Sequence, residues 1–203
     1  MNITWLGHSC FILEAEGFRA LLDPYSEVPG LPDIETEADA VYCSHDHFDH
    51  AYTEKVRLTS GKTNPFSVTE VRTFHDDKDG ALRGTNVIRK FTAGGVSVAH
   101  FGDLGHPLSP EQLHELGPCD AILIPVGGFY TIDAATAKAV ADAVGAPVIV
   151  PMHYRNGPVG FDVLSTLEDF TSLYPAERVK RYGGFLAVEK GMEPQVAVMA
   201  IAK

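Results

Sequence analysis

The sequence predicts an α+β fold, a four-layer αββα sandwich built as a single domain from residues 1–203. Three observations predict it. The first half of the chain is crowded with short strand signals separated by glycine-containing turns. The second half alternates apolar strands with capped helical segments. No long linker, low-complexity segment or charge block divides the two, so two β-then-α halves close on one another with helices outside and sheets inside.

The elements follow in order. Residues 2–6, 10–14 and 18–22 read as three short strands, with Gly7 and Glu16-Gly17 at the turns. Residues 39–43 form the next strand, and 51–58 suggest a short helix. Residues 69–74 alternate as a strand does and end at His75. Residues 86–91 and 95–101 read as a hairpin turning at Ala93-Gly94. Ser109-Pro110-Glu111 starts a helix, with serine as the N-cap and proline at the first helical position. Residues 121–126 are a buried strand. Asp133 caps an alanine-rich helix that runs to about residue 144 and stops at Gly145. Residues 147–150 are another buried strand, and Asp162 caps a helix over about 163–173. Residues 178–182, 185–189 and 196–201 supply late strands.

Composition narrows the function. Lys and Arg total 16 against 27 Asp and Glu, a net charge of −11, which repels nucleic acid and anionic lipid. A small anionic substrate stays open, because divalent ions would reverse the sign locally. No apolar run approaches the ~18–20 residues that span a bilayer. The start, Met1-Asn2-Ile3-Thr4-Trp5, has neither a basic region nor an apolar signal core. Cys10, Cys43 and Cys119 are an odd, scattered set without a C-x-x-C pair and read as buried reduced thiols. The expected location is the cytoplasm.

The chemistry concentrates in His45-Asp46-His47-Phe48-Asp49-His50, directly after an apolar strand. In an extended stretch, residues two apart share a face, so His45 and His47 can clasp one cation. Asp49 and His50 lie just beyond and can turn toward a second. Imidazole and carboxylate donors suit Zn²⁺ best, with Mn²⁺ or Fe as rivals. Three strand-end residues complete a dinuclear set: His75, Asp103 after Gly102, and His153 after Pro151-Met152. His100 competes with His75, but it shares a face with Val96 and Val98, which suggests a buried or supporting histidine and favours His75 as the ligand. His8 and His106 sit in glycine-containing turns; each can orient substrate, donate a proton or satisfy a loop carbonyl. His114 reads as an exposed helix residue. The Gly127-Gly128 turn allows close backbone approach to a ligand, and Tyr130 and Tyr154 are expected to line the pocket.

H-D-H-F-D-H (45–50), L-L-D-P (21–24), G-D-L-G (102–105) and P-M-H-Y (151–154) together resemble the metallo-β-lactamase superfamily. I-T-W-L-G-H-S-C-F (3–11) narrows the resemblance to small bacterial metal-dependent hydrolases grouped with the ascorbate-phosphate lactonases. The resemblance implies that His45, His47 and His75 hold a first metal and Asp49, His50 and His153 a second. It implies that Asp103 bridges them and that Asp23 orients a ligand from behind. The implied activity is hydrolysis of a small-molecule lactone, ester or amide. A hydroxide between the two ions would be the nucleophile, aimed by Asp49. A phosphodiesterase or nuclease is the competing expectation, yet the chain has no Lys/Arg cluster beyond Lys180-Arg181. A non-enzymatic scaffold is disfavoured because every expected ligand is present.

Overall fold

The structure is a computed structural model and describes residues 1–202. The strands are β1 (Asn2–Gly7), β2 (Cys10–Ala15), β3 (Phe18–Leu22), β4 (Thr36–Ala38), β5 (Ala40–Tyr42), β6 (Val56–Leu58), β7 (Ser67–Phe74), β8 (Thr85–Ala93), β9 (Val96–His100), β10 (Ala121–Pro125), β11 (Val148–Met152), β12 (Val179–Tyr182), β13 (Phe185–Ala187) and β14 (Gln195–Met199). The helices are α1 (Pro110–Leu116), α2 (Ala134–Val144) and α3 (Leu167–Thr171). One sheet runs β13-β1-β2-β3-β5. The other runs β12-β14-β11-β10-β9-β8-β7.

Side-chain alternation sets how the sheets face. Phe11 and Leu13 of β2 and Ala20 and Leu22 of β3 point into the main core, which they share with Val71, Ile88, Phe91 and Val98 of the larger sheet. Ring contacts cross this interface, Tyr42 to Phe91 at 5.0 Å between centroids and Phe11 to His100 at 5.9 Å. The intervening residues Cys10, Ile12 and Leu21 point the other way, into a smaller core with Tyr25, Val28, Ile34 and Ala38. On that side the covering layer is the 24–35 loop and the β4–β6 ribbon. On the larger sheet α1 packs on β7, α2 packs on β10, and α3 packs on α2. β10, β11 and β14 are buried at every residue, which is why they read as continuous apolar runs.

Capping explains two of the three helices as expected. Ser109 forms a capping box with Gln112 and precedes Pro110. The Asp133 carboxylate accepts the Thr136 N–H at 2.8 Å, and Gly145 ends α2 in the left-handed region.

Two expectations are corrected. Residues 51–58 form no helix. The Tyr52 N–H donates to the Pro24 carbonyl and residues 56–58 pair with β4, so the backbone is committed to sheet and loop. The last helix begins at Leu167 rather than near Val163. Thr166, not Asp162, is its N-cap, with its N–H on Asp169 at 3.1 Å. Residues 155–165 are held in a loop by Arg155 N–H to Ser165 O and Ser165 N–H to Gly127 O. That tie delays the helix and carries Phe161 toward the site.

The topology collects strand ends at one rim. β3 and β5 are parallel, so Asp23 and the His45–His50 loop emerge together. β9, β10 and β11 are mutually parallel, so Asp103, the Gly127-Gly128 turn and His153 follow at matching ends. Among the described residues no helix is long and apolar enough to cross a membrane.

Candidate metal centre

The six-residue loop turns rather than extending. The carbonyl of His47 accepts the N–H of His50 at 2.9 Å and of Ala51 at 2.8 Å. This turn divides the loop between two donor groups. His45, His47 and His75 each bring a ligand atom within 4.8 Å of the others. Asp49, His50 and His153 do the same, joined by His8. Asp103 lies between the groups. Its carboxylate is 3.3 Å from His75 Nε2, 3.2 Å from His50 Nε2 and 3.1 Å from His153 Nε2.

These approaches lack hydrogen-bond geometry. His45 Nε2, His50 Nε2, both nitrogens of His8 and His153, and Asp103 Oδ1 are buried without a hydrogen-bond partner. Stranded polar atoms of this number are costly unless a cation sits among them. The donors are nitrogen and oxygen only, which fits a divalent transition metal or Mn²⁺.

Asp23 orients one histidine in each group. Its Oδ2 lies 2.7 Å from His50 Nδ1, which turns Nε2 toward Asp103. The same oxygen accepts the Ser44 hydroxyl at 2.6 Å, and Ser44 Oγ in turn lies 2.9 Å from His45 Nδ1. His45 therefore also presents Nε2 to the cluster. His8, Asp23 and His153 all adopt left-handed backbone angles, with φ of 49°, 43° and 55°. Strain of this kind concentrates where a side chain must be aimed.

Protonation states agree with ligation. Burial, reinforced by nearby histidines, pushes His8 down to about 4 and His45 down to about 3. Burial likewise lowers His75. These imidazoles are neutral at pH 7 and carry a free lone pair. Burial alone would raise Asp49 and Asp103. The His8 contact and His50 outweigh it for Asp49, and His153 and His50 outweigh it for Asp103, so both stay ionised. His50 is the exception. Burial disfavours its charge, but Asp103 and Asp23 raise it well above the usual histidine value. Its surroundings select for positive charge.

A cavity of about 270 Å³ opens onto the cluster. It is lined by His47, Phe48, Asp49, His75, Arg83, Asp103, Tyr130 and Phe161. Tyr130 is part of this lining, with the Arg83 guanidinium 5.6 Å over its ring. Tyr154 does not line the cavity: it is buried against Trp5, centroids 5.7 Å apart, because the chain after β11 turns its ring into the core. His106 is also set apart. Its Nε2 accepts the Phe74 N–H at 3.1 Å and its Nδ1 lies 2.7 Å from the Pro107 carbonyl, so both ring nitrogens serve the loop. His100 is a supporting residue as expected, with Nε2 2.8 Å from the Ser9 carbonyl. His114 is exposed on α1.

Arg83, Phe161 and Ser44 were not singled out in the sequence. Arg83 is placed by Asp76, whose carboxylate accepts the N–H groups of Lys78, Gly80, Leu82 and Arg83 at 2.8–3.0 Å. The D-D-K-D-G run at 76–80 was its signal.

A two-sheet sandwich with these donors at one rim defines a metallo-β-lactamase-type hydrolase. The chain belongs to the β-lactamase superfamily domain family, whose model matches residues 2–153. Its relatives include UPF0173 metal-dependent hydrolases from Methanosphaerula palustris, 30% identical over 78% of this chain and 85% of the relative, and from Methanoregula boonei, 31% identical over 76% and 82%. Among solved structures, a Thermotoga maritima protein classed with the Zn-dependent hydrolases of the metallo-β-lactamase superfamily superposes with a TM-score of 0.78. It is 37% identical, and the match covers 98% of this chain and 97% of that one. The chain is a metal-dependent hydrolase of this superfamily.

Proposed function

We propose that the protein is a dinuclear hydrolase acting in the cytoplasm on a small-molecule lactone, ester or amide, with Zn²⁺ as the favoured metal and Mn²⁺ or Fe as alternatives. The observation that carries this reading is Asp103, one carboxylate placed 3.1–3.3 Å from histidines of both donor groups. His45, His47 and His75 would hold one ion, Asp49, His50 and His153 the other, and Asp103 both. When bound, the pair supplies Lewis-acid polarisation of the scissile group and acidifies water near neutral pH.

The protein's own groups do the rest. Asp49 lines the cavity and is ionised, so it accepts a hydrogen bond from the attacking water and aims it. The rings of Phe48, Tyr130 and Phe161 wall the cavity and limit access of bulk water. The Arg83 guanidinium lies over the Tyr130 ring at the cavity wall, where it would face any negative charge on the substrate. The acidic surface and small cavity favour a small substrate over nucleic acid.

Elemental analysis of the purified protein should find two divalent ions per chain. A panel of lactones, esters, amides and a nitrophenyl phosphodiester, assayed with each metal added back, should show carbonyl hydrolysis. Turnover of the phosphodiester alone would replace this reading with a phosphodiesterase. Asp103→Ala should abolish turnover and lower bound metal; full activity in that variant after metal depletion would refute the assignment.

A further inference from the structure

We infer that His8 is an additional ligand of the second ion, beside Asp49, His50 and His153, an inference that rests on the dinuclear reading above. The ligand set proposed above draws nothing from the β1–β2 turn. Here that turn delivers an imidazole into the donor group.

The placement is built, not incidental. The chain bulges between Trp5 and Gly7, and His8 follows with φ of 49°. Its carbonyl accepts the Trp5 indole N–H at 3.0 Å and the His153 N–H at 3.4 Å. The backbone is thus fastened to the very residue whose side chain shares the cluster. The ring then lies 4.2 Å from the His153 ring and 5.3 Å from the His50 ring, with Nε2 3.3 Å from Asp49 Oδ2.

Two other roles fit less well. A proton donor to the leaving group must reach the substrate. His8 is 3% exposed and absent from the cavity lining; it stands behind Asp49. A packing histidine normally has at least one ring nitrogen hydrogen-bonded. Neither nitrogen of His8 has such a partner. Four donor atoms within 4.8 Å of one another, two of them on residues otherwise stranded in the core, describe a coordination group. With Asp103 the second position commands five protein donors against four at the first.

The test measures ion binding and needs no substrate. Metal-free wild type, His8→Ala and His8→Asp are reloaded with Zn²⁺ or Mn²⁺, freed of unbound metal and analysed for ions per chain, with affinities from chelator competition. Wild type should retain two ions. His8→Ala should lose one, or hold it at least about tenfold more weakly, and His8→Asp should restore it through a carboxylate donor. Cobalt-loaded His8→Ala should show a changed ligand-field spectrum. Far-UV circular dichroism and melting in excess chelator show whether each variant folds; if His8→Ala does not, His8→Asp against His8→Gln decides. Two ions of unchanged affinity in His8→Ala would overturn the inference. Fewer than two ions in wild type, unchanged in the variant, would overturn it too and separately sink the dinuclear reading.

Discussion

Asp23 never reaches the cavity, yet it sets the tautomer of one histidine in each donor group, His50 directly and His45 through Ser44. On the proposed dinuclear reading, Asp23→Ala should therefore weaken metal binding at both donor groups, by about 10–100-fold in chelator competition, while leaving every proposed direct donor in place. A loss confined to one ion would show that the Ser44 link is inert. At this scale the sequence was most readable where donors crowd together. His45, His47, Asp49 and His50 stand within six residues, and their type alone names the chemistry. His75, Asp103 and His153 were singled out because each follows a strand, and the fold brings all three to the same cluster. Residues whose role comes only from distant partners were invisible: Ser44 beside Asp23, Arg83 behind Asp76, Phe161 beside Phe48 and Tyr130. The error on Tyr154 has the same origin. Adjacency to His153 does not say which way a ring turns after a left-handed residue.

Elements hold the site through a few tight joints. Gly102, between β9 and Asp103, has φ of +54°, and a Cβ there would lie 2.3 Å from Asn86 Oδ1 and 2.4 Å from Ser44 Cβ. Gly102→Ala should cost roughly 1–3 kcal/mol in backbone strain before any clash, and should loosen metal by displacing Asp103. Urea unfolding with metal analysis would check both. A second joint lies between β4 and β5. Asp39 is held from 3.8 down to about 2 by Lys62, by the Thr59 hydroxyl and by the Arg19 N–H of β3. A folded value below the unfolded one contributes stability above about pH 4, and the contribution disappears as pH falls toward about 2. The urea midpoint should thus drop between pH 5 and pH 2.5 in wild type, and less in Asp39→Asn. Long apolar runs and side-chain caps made β10, β11, β14 and α2 legible. The three-residue strands β4 and β6 were not, because each exists only as the other's partner.

For the whole molecule, bound metal is expected to contribute to the fold's stability. Ions that bind only the native state should raise the melting temperature, so chelation should lower it by about 5 °C or more, reversibly on adding metal back. An unchanged melting curve would mean that the buried donors are satisfied without a cation. The α+β sandwich was legible because strand signals and caps follow the order of the layers. The covering of the smaller sheet by loop and ribbon was not, since those residues carry no periodic signal. One feature of that smaller sheet reaches into biosynthesis. β1 is not an edge: it lies between β2 and β13, and Asn2 pairs with Ala187, 185 positions later in the chain. The nascent chain must hold one flank of the β1–β2 hairpin unpaired until β13 has been made. A copy under synthesis is therefore exposed to mispairing with its polysome neighbours for the whole interval between those two strands.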